Sequence, residues 1–232
     1  DMGLAHLLSH ELASHGMQAV NFSWFLSRHP PTWQVELKPG PQGKGTSWSC
    51  AHGVGRWMEA CPCGAEEGQQ TRWRRPLRES LDWLRGELAE VFERCGGEFL
   101  KSPWQARHDY GILLTGAGAE AEAAFWEKHL KPEARRRSGE ALRLLEMQKF
   151  ALFMFTSCGW FFGDVSGLEA AQNLKYAARA VELARQASGR DLEAGLLRRL
   201  RLAPSNDEQF KDAAGVYRRA VGSGRRDSSS RA

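Results

Sequence analysis

Long apolar runs are missing from this sequence. The longest uninterrupted one, residues 150–155, has six members, and a membrane-crossing helix needs about 20. No membrane partner is therefore expected. Strand signals are nearly missing too. Only residues 32–37 alternate polar and apolar, through Thr32, Trp33, Gln34, Val35, Glu36 and Leu37. There is no Gly-x-Ser-x-Gly elbow, no phosphate-cradling P-loop and no His-Glu-x-x-His pair, so the commonest signatures of three hydrolase classes are absent. Gly116 and Gly118 lack a third glycine and a preceding strand, which excludes a dinucleotide site there.

Lysine is scarce, with 8 residues against 24 arginines in a chain of net charge +4. The arginines fall into separate groups: Arg72, Arg74, Arg75 and Arg78; residues 135–137; and Arg198, Arg199 and Arg201. A nucleic-acid binder gathers such charge on one face beside a recognisable motif. None is present, so these groups read as solvated helix faces and no nucleic-acid partner is expected. Five cysteines is an odd number, poorly suited to a paired secreted scaffold. A chain of 232 residues can hold a core without disulfides. Reduced thiols and a cytoplasmic location are the expectation. The opening residues show no signal-peptide arrangement. They run from Asp1 straight into amphipathic sequence, and the chain is expected to be a fragment whose first element is cut short.

What is present is mostly helix. Leu4, Leu7, Leu8 and Leu12 predict a helix over 3–15, stopped at Gly16, and Asn21 can cap a short helix carrying Phe22, Phe25 and Leu26. Residues 38–46 are loop by composition. A stripe of Leu77, Leu81, Leu84, Leu88, Val91 and Phe92 predicts a helix that Gly96 and Gly97 should stop. Ser102 and Pro103 open another to about residue 114, and residues 119–130 form the next. Residues 139–158 read as a long buried helix. Ser166 and Glu169 have capping-box spacing before a helix through Val181, and residues 191–202 make the last confident one. The Gly-, Ser- and Arg-rich residues 221–232 read as a disordered tail.

Two segments are too rich in reactive and aromatic residues to be filler. In residues 46–64, Trp48 and Trp57 offer flat indole faces on which a sugar can stack, and His52 and Arg56 could hold its hydroxyls. The same segment places Cys50, His52, Cys61 and Cys63 within 14 residues. Four such ligands can close a tetrahedral zinc site, although the Cys-x-His and Cys-x-Cys spacings are uncommon. His52 cannot easily serve both a sugar and a metal. The plain alternatives are a packed loop with core tryptophans and inert or redox-labile thiols. In residues 156–164, Trp160 either packs or projects into a cleft, and Asp164 is a capping or pocket carboxylate. Glu146, on a helix apolar nearly all round, needs an arginine partner or a cleft.

Residues 47–57 with Cys61-Pro62-Cys63, and residues 144–148 leading to 156–162, resemble the C-terminal region of family-57-like glycoside hydrolases, a region labelled domain of unknown function 3536. The likeness extends to residues 29–31 and 176–179 and runs to about residue 219. It implies a helical domain joined to a remnant of a (β/α) barrel: residues 1–70 at the barrel edge, 71–220 helical, and a mostly α fold. It implies activity on an α-glucan or other oligosaccharide by a retaining mechanism, with the two carboxylates on a missing N-terminal barrel of the same protein. No residue here matches either carboxylate. What carries over is part of the substrate wall: Trp48, whose segment is similar to the family's last conserved region, and Trp160, similar to the aromatic of the helical domain. His52, Arg56, Trp57 and Asp164 complete the expected substrate-binding set. Family members also tend to keep Cys50, His52, Cys61 and Cys63. No cofactor is expected on the glucan reading, and zinc on its rival.

Overall fold

The computed structural model describes the backbone of residues 6–40, 43, 45–116 and 118–229, and the side chains of these residues except 8, 9 and 223–229. The chain divides into two compact units, Asp1–Pro39 and Gly40–Ala232.

In the first unit a π-helical turn, Leu7–Glu11, runs into a short α-helical turn, Leu12–Ser14. The start of the helix predicted from residue 3 lies outside the described residues. Helix α1, Phe22–Arg28, is capped as its sequence predicts: the Trp24 amide donates to Asn21 Oδ1 at 2.8 Å. Residues 32–37 form no strand. Their alternation suits a pleated segment, but an isolated segment has no ladder to join. Among the described residues there is no sheet, only the bridges Leu100–Leu130 and Pro204–Asp212. The expected barrel edge is therefore not formed among them.

The second unit is helical. A short helix, α2 (Gly55–Met58), precedes the central helix α3 (Arg74–Phe99). The stripe of Leu77, Leu81, Leu84, Leu88, Val91 and Phe92 is fully buried, each large side chain contributing about 1.5–3 kcal/mol. Gly96 and Gly97 do not stop α3. Gly96 is instead a contact point: a Cβ there would meet the Pro103 ring at 3.3 Å, so its small size lets α4 (Pro103–Asp109) approach. Then come α5 (Gly111–Leu114) and α6 (Ala119–His129).

Helices α7 (Ser138–Phe153) and α8 (Leu168–Ser188) pack along each other, and both pack on α3. Gln148 of α7 donates to the Leu88 carbonyl of α3 at 3.3 Å, satisfying a buried amide. Glu146 finds the arginine its setting requires, Arg179 at 3.7 Å. The capping box at Ser166 is not formed. The Ser166 amide donates to Asp164, and Gly167 is the N-cap of α8. Helix α9 (Glu193–Leu200) packs on α3, and α10 (Ala213–Ser229) on α8. The backbone of α10 thus enters the segment whose composition suggested a disordered tail; residues 230–232 lie outside the described residues. Between α7 and α8 a 3-10 turn, Ser157–Trp160, makes a corner against α2.

Candidate metal centre

The four residues that the sequence offers as soft ligands converge on one point. Cys50 Sγ lies 3.6 Å from Cys61 Sγ, 3.9 Å from Cys63 Sγ and 3.8 Å from His52 Nδ1. His52 Nδ1 is 3.4 Å from each of Cys61 Sγ and Cys63 Sγ. All four donor atoms lie within 4.8 Å of one another. A zinc tetrahedron with bonds of about 2.3 Å to sulfur and about 2.05 Å to nitrogen has edges of about 3.8 Å between sulfurs and about 3.5 Å between sulfur and nitrogen. The five edges given above lie close to those values. They are far longer than a disulfide bond of about 2.05 Å, and all five cysteines are free.

Local turns make this convergence possible. The His52 carbonyl accepts from the Gly55 amide, and α2 then carries the chain back toward Cys61. Gly64, immediately after the last ligand, has φ +81°, and a Cβ there would lie 2.8 Å from the Phe161 carbonyl oxygen. Only glycine serves both needs. Cys50 and Cys61 are buried, Cys63 is half-buried and His52 is exposed. Burial pushes the Cys50 thiol up, but hydrogen bonds from the His52 backbone and ring and from Cys61 and Cys63 outweigh it and bring it down to about 6. Cys61 ends on the other side of its ordinary value: burial, reinforced by the Cys63 and Cys50 side chains, pushes it up to about 11. Cys50 is thus poised to ionise while Cys61 holds its proton, so these two thiols are not equivalent.

Two buried arginines surround it. Arg74, at 0% exposure, donates through Nη1 to the Cys61 carbonyl and through Nη2 to the carbonyls of Cys63 and Phe162, both at 2.9 Å. Arg56 donates to the carbonyls of Ser49 at 3.3 Å and Phe161 at 3.4 Å. The two segments singled out in the sequence thus meet. Trp57 Nε1 donates to the Ser157 carbonyl and Trp73 Nε1 to the Gly163 carbonyl, each at 2.9 Å, and Trp160 Nε1 donates to the Arg74 carbonyl at 3.1 Å.

This geometry redistributes the residues assigned to a sugar wall. Trp48 is free, at 98% exposure. Trp160 is sealed, at 1%, with its ring parallel to Phe155. A ring so enclosed presents no face to a sugar, so Trp48 and Trp160 do not form one wall. Arg56 is buried against backbone carbonyls, Trp57 is half-buried, and His52 Nδ1 is turned into the thiol cluster. Asp164 is a structural hub. Its oxygens accept from Ser205 Oγ, from the Asn206 backbone and side-chain amides, and from the Ser166 amide, at 2.6–2.9 Å. Burial raises its pKa, but these bonds outweigh it and hold the carboxyl below its usual range.

Sequence reasoning missed Arg74, counting it with a solvated cluster. Its spacing carried the signal: position 74 continues the stripe 77, 81, 84, 88 by one step of three, which puts it on the buried face of α3.

Residues 69–230 match a family described as a domain of unknown function (DUF3536). The chain belongs to this family. The DUF3536 match includes Arg74, Trp160 and Asp164, while the four donor residues lie ahead of its first residue. No curated protein and no solved structure matches the chain.

Proposed function

We propose that this DUF3536 chain is a helical domain stabilised by a structural zinc ion held by Cys50, His52, Cys61 and Cys63. The observation that carries the reading is the set of donor separations, 3.4–3.9 Å on five edges of the tetrahedron. Four protein ligands leave no open coordination position, which is the pattern of a structural rather than a catalytic ion. The ion would do work that the local chain cannot. Residues 45–70 contain a single four-residue helix, and metal binding substitutes there for the apolar core they lack. In solution, protein purified under reducing conditions should carry one zinc per chain by elemental analysis. A chelator should then expose residues 45–70 to protease while α3, α7 and α8 keep their helical signal. Metal-free protein with the same protease resistance contradicts the proposal.

A second reading is favoured by Trp48, an indole at 98% exposure two residues from Cys50. On this reading the loop contributes a stacking surface for an α-glucan, and the catalytic carboxylates belong to a barrel elsewhere in the same protein, as the resemblance to family-57-like enzymes implies. Zinc would then position the sugar-facing loop, with His52 serving the metal and not the sugar. Titration with maltooligosaccharides should show weak binding without turnover, lost in Trp48→Ala. Turnover by the chain itself, or binding unaffected by that substitution, contradicts this reading.

A further inference from the structure

We infer that Arg74, assisted by Arg56, is a positioning residue of the metal centre, supplying the counter-charge for three thiolates and fixing the ligand loop against the 157–163 corner. This rests on the zinc reading and goes beyond it, because it assigns a role to two cations outside the ligand set.

The argument begins with charge. Arg74 is fully buried and Arg56 nearly so. Among the described residues neither has a carboxylate within ion-pair distance, and every side-chain hydrogen bond from either guanidinium ends on a backbone carbonyl. The Nε atom of each has no partner. Carbonyl dipoles solvate a cation but do not neutralise it, and an unpaired buried charge is strongly unfavourable. The ionisable residues that Arg74 touches directly are Cys61 and Cys63, through their backbone carbonyls. With all three cysteines as thiols, two guanidiniums would lie buried without a counter-ion. A dication bound by three thiolates and a neutral imidazole carries one net negative charge, so loading the site also relieves the arginines.

Geometry supplies the second part. The carbonyls that Arg74 holds belong to two of the ligands themselves, Cys61 and Cys63, and the third belongs to Phe162, 88 residues further on. Arg56 repeats the pattern from α2, bridging Ser49 and Phe161. A planar fork can hold several carbonyls at fixed angles, which an ammonium cannot. Groups that orient metal ligands from behind typically account for 10–100-fold in metal affinity.

The test is cobalt(II) titration followed by zinc competition against a chelating dye, in reducing buffer, with circular dichroism as a check on folding. The wild-type chain should bind one cobalt ion with tetrahedral thiolate absorption bands. Arg74→Met should weaken zinc binding about 10–100-fold and alter the cobalt spectrum; Arg74→Lys should recover part of the affinity but not the spectrum. Arg56→Met, on a four-residue helix, should give a smaller loss in the same direction and serves if Arg74→Met does not fold. In the wild type itself, adding zinc should slow hydrogen exchange in residues 157–163. Wild-type affinity and spectrum in the methionine variants, or exchange in the corner that ignores zinc, overturn the inference while leaving the zinc reading intact. A wild-type chain that takes up no metal overturns both.

Discussion

Arg74 holds Phe162. From one nitrogen, Nη2, it donates at 2.9 Å both to the Phe162 carbonyl, 88 residues away, and to the carbonyl of Cys63. The Cys/His loop and the aromatic corner between α7 and α8 are thus joined through the first turn of the central helix.

Cysteine substitutions should separate ligands from bystanders. Cys61→Ala should abolish stoichiometric zinc and lower Tm by roughly 5–10 °C, at about 2–4 °C per kcal/mol for a domain of this size. Cys158→Ser, on an exposed thiol outside the cluster, should retain full metal and lose less than about 1 °C. Elemental analysis and thermal scans check both. Equal effects from the two substitutions would mean that the cluster is only packing.

Asp164→Asn should cost about 2–3 kcal/mol at pH 7 in urea unfolding, because a carboxylate accepting several hydrogen bonds becomes an amide that presents donors to donors. The effect has a definite pH dependence. The folded carboxyl titrates below its ordinary value of 3.8, so its contribution is complete above that value and lost as pH falls through the lower folded one. The gap between wild type and variant should therefore be constant from pH 7 to 5 and close in stronger acid. A gap that shrinks already between pH 7 and 5 contradicts the assignment.

The two tryptophans should behave oppositely. Trp160→Ala removes a fully enclosed ring and should cost about 3–5 kcal/mol. Trp48→Ala touches an exposed ring and should stay within about 0.5 kcal/mol. Paired denaturation curves read both. Comparable losses would show that Trp48 packs.

The helical character was legible because Leu77, Leu81, Leu84 and Leu88 repeat at helical spacing, and side-chain periodicity is a local property. The four donors were legible for a simpler reason: they crowd into 14 residues. What one segment alone could not reveal was pairing at a distance. Trp160 reads as either packed or facing a cleft, and the family resemblance puts it in the cleft, because its bond to the Arg74 carbonyl, 86 residues away, leaves no local trace. Asp164 reads as a capping or pocket carboxylate: its bond from the Ser166 amide is local, but its other partners, Ser205 and Asn206, lie some 40 residues on. The strand at 32–37 failed for the same reason, since alternation makes a segment fit for a sheet without supplying one. Gly96 failed as a helix stop because tertiary contact with Pro103 outweighed its intrinsic preference.

X-ray absorption at the zinc edge, on the purified chain at one metal per molecule, tests the central claim most directly. The coordination shell should fit three sulfurs at about 2.3 Å and one nitrogen at about 2.05 Å. A shell of oxygens and nitrogens without sulfur, or a Cys50–Cys61 disulfide with no bound metal, would contradict it.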